Sequence, residues 1–136
     1  MRVTAWAGYI TCAWTLLFAA PHVWWALGIP AAFPGGDNAY DAAWSSVWFP
    51  RYNLFVVFLS TVGFLVVLAL VTPLGRTVPR RLLLTLVWLG AALLLARGVT
   101  GLVVDGRSDL IWWPAFLLGG VLYGKVAWHY GKGLPG

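Results

Sequence analysis

Four apolar runs dominate the chain, and each is long enough to cross a lipid bilayer. They cover about residues 5–27, 52–71, 82–104 and 110–128, and a spanning helix needs about 20 apolar residues. Because lipid offers the backbone no hydrogen-bond partner, each run must satisfy its own peptide groups, as a helix does. The pattern predicts an all-α integral membrane protein whose single domain, 1–136, is a four-helix transmembrane bundle.

Charged residues are too few to solvate the surface of a soluble domain. They make up 10% of the chain, whereas soluble domains carry about 25%, so a soluble globular enzyme is disfavoured. The four acids are all Asp, and a single cysteine excludes a disulfide framework and a Cys-based zinc site. We therefore expect no metal and no cofactor.

The basic residues between the apolar runs fall mainly on one side of the predicted bundle, and the acids fall on the other. The basic side carries Arg2, Arg76, Arg80, Arg81, Lys125 and Lys132; the acidic side carries all four Asp with Arg51 and Arg107. The positive-inside rule then places both termini and the loop 72–81 in the cytoplasm. This topology in the cytoplasmic membrane explains the net charge of +5 without a nucleic-acid partner.

The longest connection, residues 28–51, is predicted to carry a short amphipathic helix over 37–49 in the outer interface. Tyr40, Trp44 and Trp48 fall on one helical face, and Pro50 is expected to end the helix. We interpret this segment as a lid or cap over the outer end of the bundle, formed by Asp37, Asp41, Trp44 and Trp48.

Two acids in this segment allow two interpretations. Asp37 and Asp41 are four residues apart, a spacing at which two carboxylates on one helix face could hold a divalent cation. The simpler interpretation is that Asp37 is a helix N-cap and Asp41 a nearby acid favoured by the helix dipole. The second is preferred, because the sequence has no further acidic motif to complete a metal site.

One face of the first apolar run is polar. Thr11, Thr15 and His22 share it with Gly8, and small and hydroxyl residues are typical of helix interfaces in membranes. This face is therefore expected to point into the bundle and to bring His22 inside near the outer end. Close helix packing is also expected at two glycines of the fourth run, Gly120 and Gly124.

Arg97 lies seven residues before the end of the third run, about 10 Å deep at 1.5 Å per residue. Three interpretations remain open. The side chain snorkels to lipid phosphates, pairs with a loop acid such as Asp105 or Asp109, or holds the anionic group of a ligand. The ligand hypothesis groups Arg97 with residues expected near the outer end, namely His22, Asn53, Trp25 and Trp112.

Three stretches of the chain resemble the bacterial family catalogued as domain of unknown function 3995. They are residues 14–28, residues 72–82 running on through 97–101, and residues 112–120. Together they are spread over residues 14–120 and follow one another in the same order as in that family. The resemblance implies a small four-helix bacterial membrane protein and implies no activity, so it assigns no catalytic residues.

Three functions stay open at this stage. The protein binds an amphiphilic or lipid-like ligand in an outward-facing pocket, or it is a structural or accessory subunit that pairs with a membrane protein or with a second copy of itself. A small membrane enzyme acting on an apolar substrate, with His22 as acid or base, ranks last. The sequence has no paired acids and no nucleophile motif for such an enzyme. The lipid bilayer is the one partner that all three share.

Overall fold

A computed structural model describes residues 2–104, 106 and 110–132, and all regular structure in these residues is helical. In this part of the chain the elements follow one another in the order α1 (Arg2–Ala26), α2 (Gly36–Trp44), α3 (Trp48–Val71), a 3₁₀ turn (Pro73–Thr77), α4 (Arg80–Val104) and α5 (Trp112–Gly131). The predicted all-α class is thus confirmed.

Two of these helices, α3 and α4, are long and apolar enough to cross a membrane. They have 24 and 25 residues, and their most apolar stretches are only 11% and 28% buried. A core helix of a soluble protein would be mostly buried, because its apolar side chains would avoid water. Both helices instead present most of their apolar surface outward.

The boundaries around α2 differ from the predicted ones. The helix expected over 37–49 ends at Trp44, and α3 starts at Trp48 rather than at 52. Pro50 lies in the first turn of α3, where its missing N–H leaves no intrahelical bond unmade. Ser46 marks the break, because its Oγ accepts a hydrogen bond from the Trp48 N–H at 3.3 Å. Apolar periodicity continues across this break and hides it.

The start of α2 also corrects a prediction. Asp37 is in the first turn of α2 and is not its N-cap, a position that Gly35 occupies with φ of 86°. Glycine adopts this left-handed conformation without strain. The carboxylate of Asp37 still lies where the helix dipole favours a negative charge.

The four long helices pack in a ring whose order is α3, α1, α5, α4. The contacts of α4 with α5 and of α1 with α3 are extensive, and those between α3 and α4 are the sparsest in the ring. We call the space between α3 and α4 the seam. Residues 28–47, which include α2, form the cap, and we call the helix ends beside it the cap end.

Two adjacent glycines let α5 fit between its neighbours. A Cβ at Gly119 would overlap the ring of Trp14 on α1, and a Cβ at Gly120 would lie 2.5 Å from the side chain of Leu95 on α4. Gly124 differs, since its nearest neighbours would lie 4.0 Å away, at ordinary van der Waals distance. The close approach of α5 to α1 and α4 therefore depends on Gly119 and Gly120.

Gly8 gives a similar close approach between α1 and α3, because a Cβ there would overlap the side chain of Val71. Beside this contact, the apolar core is formed by interior side chains of all four long helices. Its fully buried members include Val67, Val87 and Val126.

Tyr123 of α5 contacts all three other long helices. Its hydroxyl lies 2.9 Å from Thr15 Oγ1 on α1, and Thr15 in turn donates to the Thr11 carbonyl at 2.8 Å. Because Thr15 has a single hydroxyl proton, Tyr123 is the donor between the two. A Cβ at Gly63 of α3 would lie 2.5 Å from the Tyr123 hydroxyl, and one at Gly90 of α4 would lie 3.4 Å from its ring.

The α5 glycines supply the first prediction. Gly120→Ala should lower the free energy of unfolding by about 1–3 kcal/mol, because the added methyl overpacks against α4. Gly124→Ala, the matched control, should be neutral or stabilising by up to about 1 kcal/mol, since alanine favours the helix. Unfolding in detergent followed by circular dichroism measures both. Equal losses in the two variants would contradict the packing described.

The hydrogen bond of Tyr123 supplies the second prediction. Tyr123→Phe keeps the ring and removes the donor to Thr15, so stability should fall by about 1 kcal/mol. Tyr9→Phe makes the same change on a side chain that is 48% exposed and should leave stability unaltered. The same unfolding measurement compares them, and an unchanged midpoint for Tyr123→Phe would show that the buried bond contributes nothing net.

Candidate functional site

A cavity of about 550 Å³ lies in the seam, within the range of about 300–1,000 Å³ typical of ligand pockets. Its floor is formed by α1 and α5, and its sides by α3 and α4. Several of its wall residues are also on the molecular surface: Phe55 is 57% exposed, Leu89 55% and Leu93 62%. The cavity therefore opens sideways, between two helices.

The lining is almost entirely apolar. The wall from α3 includes Tyr52, Phe55, Val56, Leu59, Ser60 and Gly63, and the wall from α4 includes Leu86, Leu89, Gly90, Leu93, Leu94 and Arg97. The floor includes Trp14, Thr15 and Phe18 of α1, with Phe116 and Tyr123 of α5. Arg97 is the one charged side chain in the lining of the described cavity.

The contacts of Tyr123 give the relative depth of the lining residues along the helix axes. Its side chain touches both Gly63 and Gly90, so these two positions on antiparallel helices lie at one level. Arg97, seven residues toward the cap end, lies about 10 Å from that level and beside Val56. On the other side of this level the cavity extends to Leu86. The distance along the helix axis from Arg97 to this far end of the cavity is about 16 Å.

Arg97 itself is exposed and lies over an aromatic ring. Its guanidinium carbon is 5.1 Å from the centroid of Phe116, a cation–π distance. Within residues 2–104, 106 and 110–132 the structure gives the guanidinium no hydrogen bond and no ion pair. The predicted partners Asp105 and Asp109 lie outside the described residues. None of the five guanidinium N–H groups therefore has an acceptor among the described residues.

His22 lies in a packed aromatic cluster near the cap end of α1. It is 3% exposed, and its Nδ1 is 2.9 Å from the Phe18 carbonyl one turn earlier. Its ring centroid lies 4.8 Å from that of Phe18, 5.0 Å from Trp25 and 5.8 Å from Trp112. Three of the predicted ligand residues therefore meet, but in a filled cluster rather than in the cavity.

The structure does not bring the five predicted ligand residues together in one site. Arg97 lines the cavity, and the rings of Phe116 and Phe18 form a chain of contacts from it to His22. Asn53 is 1% exposed and donates from Nδ2 to the Phe49 carbonyl of its own helix at 3.0 Å. Helical spacing shows which residues share a face, but it does not show how each helix is rotated.

The sequence analysis did not predict a cavity around Arg97. Gly90 and Leu93 share the helical face of Arg97 and indicate only that this face points into the bundle, and Phe116 reads as one more aromatic in an apolar run. The available signal was the small size of Gly63 and Gly90 within long leucine- and valine-rich helices. Such residues mark close approach or free space, although the sequence does not distinguish the two.

The cap is held by aromatic contacts. Tyr40 is 3% exposed, and its hydroxyl donates to the Trp25 carbonyl at 3.0 Å. Trp25 Nε1 donates to the Ala31 carbonyl at 2.9 Å. The ring of Phe33 contacts those of Trp25, Tyr40 and Phe49 at centroid distances of 5.1–5.5 Å. These contacts fix the cap on the adjacent ends of α1 and α3.

The residues named in the lid hypothesis lie on the outside of this cap or beside it. Asp37 and Asp41 are exposed, and Trp48 is 68% exposed beneath the guanidinium of Arg51 at 5.4 Å. Trp44 is 37% exposed and borders the rings of Tyr40 and Phe49. The described residues contain no group of three or more metal-ligating side chains.

Fold and site together define an all-α protein with a lateral apolar cavity, in whose described lining Arg97 is the one cation. Comparisons with protein-family models, curated proteins and solved structures returned no match to this chain. The functional argument therefore rests on the geometry of the seam.

The cap supplies the third prediction. Tyr40→Ala removes a buried ring and the bond to the Trp25 carbonyl, which should destabilise the cap by about 3–5 kcal/mol. Backbone amides of 36–44 should then exchange with deuterium faster, while those of the core helices stay protected. Trp48→Ala, a change on an exposed ring, is the control. Uniformly faster exchange throughout the chain would show that the cap does not open independently.

Proposed function

We propose that this protein crosses a bacterial inner membrane four times, through α1, α3, α4 and α5, and binds an anionic amphiphile in the seam. Large exposed apolar side chains on all four helices support the membrane location. Leu17 of α1 is 76% exposed, Phe58 of α3 60%, Val103 of α4 78% and Val121 of α5 59%. A surface of this kind is costly in water and favourable against lipid chains.

The distribution of charge supports an orientation with both termini in the cytoplasm. Arg80 at the start of α4 donates to the Tyr130 carbonyl near the end of α5 at 2.8 Å, so these two ends lie together. That end also carries Lys132, and the cap carries Asp37 and Asp41. By the positive-inside rule the end with Arg80 faces the cytoplasm and the cap faces outward. The family resemblance implies a four-helix bacterial membrane protein, which agrees with four crossings and leaves the orientation to the charges.

The single observation that carries the binding proposal is Arg97 in the lining of an apolar, laterally open cavity. A guanidinium about 10 Å below the helix end is costly without a counter-charge. An anionic head group would supply that charge to the N–H donors, and the apolar part of the same molecule would fill the cavity toward Leu86. One ligand would then satisfy both the charge and the free space.

The packed regions around the seam support a sideways path for this ligand. The cap is fixed to α1 and α3 by Tyr40 and Phe33, and the cluster of His22, Trp25 and Trp112 is filled. The sparse packing between α3 and α4 leaves the lipid-facing side of the cavity open. In this proposal the cap is a fixed wall, and the amphiphile enters from the outer leaflet.

Binding is favoured over catalysis because of where the ionisable groups lie. His22 is enclosed in the aromatic cluster, and the lining of the described cavity contains neither an Asp nor a second basic side chain beside Arg97. A general acid–base reaction needs groups within hydrogen-bond reach of a bound substrate.

The proposal is tested by native mass spectrometry of protein purified gently from membranes. Wild type should carry a defined anionic amphiphile, and Arg97→Leu should lose it. A charge-assisted hydrogen bond contributes about 1.5–3 kcal/mol, so affinity should fall about 10- to 150-fold. Arg97→Lys should bind with intermediate affinity, since lysine keeps the charge but loses the bidentate geometry.

Arg51→Leu is the matched control. It removes an arginine from the same side of the protein, but one that lies over Trp48 outside the cavity. Its bound mass should equal that of wild type. Identical spectra for wild type and Arg97→Leu would overturn the proposal and make the accessory-subunit hypothesis the next to test.

A further inference from the structure

We infer that the ligand of the seam is a single-chain carboxylate, a fatty-acid-type anion, whose chain length is selected by the depth of the cavity. This inference rests on the proposed function and names its ligand class. Three features carry it: one cation in the lining, the length of the apolar space beyond that cation, and small residues midway along it.

The charge of the head group follows from Arg97 standing alone in the described lining. A carboxylate has one negative charge and two oxygens, which the guanidinium pairs in bidentate fashion. A phosphate monoester carries about −1.5 to −2 near neutral pH, and the described lining offers no second cation for it. Phe116 and Leu93 beside Arg97 likewise offer no partners for a large polar head.

The length of the chain follows from the register of the two walls. The cavity continues for about 16 Å between Arg97 and Leu86, parallel to α3 and α4. Half of a hydrocarbon core is about 15 Å thick, so the path has about the length of the acyl chains of one leaflet. A volume of about 550 Å³ accommodates one extended chain better than a lipid with two.

The small residues Ser60 and Gly90 lie between the two ends of this path. Ser60 is half-buried in the α3 wall, and Gly90 is in the α4 wall at the level of Tyr123. The small residue at each position leaves space that leucine, the commonest lining residue, would fill. A larger side chain at either position would shorten the path available to a chain while leaving Arg97 in place.

The test uses purified protein in non-ionic detergent and an equimolar series of saturated carboxylates, octanoate to stearate. Native mass spectrometry reads which chain lengths are retained. Wild type should retain the long members, and Ser60→Leu should shift the preferred length several carbons shorter. Thr61→Leu is the matched control, because Thr61 is exposed and lies outside the cavity lining; its preference should equal that of wild type.

A second variant, Gly90→Ala, keeps the test decisive if Ser60→Leu does not fold. The Cβ of Gly90→Ala would lie at ordinary contact distance from the Tyr123 ring, 3.4 Å, so the fold should tolerate it and the preferred length should shift by a smaller step. Circular dichroism of each variant checks that the helices are intact.

The outcomes separate this inference from the proposed function. Carboxylate binding without length preference, or with a preference that neither variant moves, would overturn the selection of chain length. Retention of two-chain anionic lipids only, abolished in Arg97→Leu, would overturn the carboxylate while supporting the proposed function. Absence of any Arg97-dependent anion would overturn both.

Discussion

The contact of Tyr123 with all three other long helices is the interaction on which the arrangement of this protein depends. Its hydroxyl bonds to Thr15 on α1, and its side chain takes the space left open by Gly63 and Gly90. The contacts between α3 and α4 are the sparsest in the ring. The side chain of Tyr123, which contacts both helices, forms part of the floor of the cavity between them.

Arg97 gives the cavity its chemical character. Among apolar and aromatic side chains, one guanidinium fixes which end of the seam receives a charged group, and its cation–π contact with Phe116 holds it there. Electrostatics would then determine the orientation of the ligand, and the apolar walls would determine how much of the ligand fits. The proposed binding of an anionic amphiphile uses both properties of the same space.

The large apolar residues toward the cap end divide into a packed group and an exposed group. Trp25, Phe33 and Tyr40 are joined by ring contacts and hydrogen bonds into a fixed cap, whereas Phe55 and Leu93 border the sparse contact between α3 and α4. Regions with few buried contacts open at lower free energy than packed ones. Motion that admits a ligand is therefore expected at the seam, with the cap as its stationary boundary.

The sequence alone determined the all-α class and the approximate helices, because backbone hydrogen bonding in apolar runs is a local property. It also placed Thr15 and His22 on an inward face of α1, since a helical repeat assigns residues to faces. It did not show the break at Ser46, which a continuing apolar period conceals. Nor did it separate Arg97, which lines a cavity beside Phe116, from His22, which lies in a filled cluster. That separation depends on helix rotation and on which helices pack closely. Both are set by contacts between residues far apart in the chain, such as Thr15 with Tyr123, and only the tertiary structure decides them.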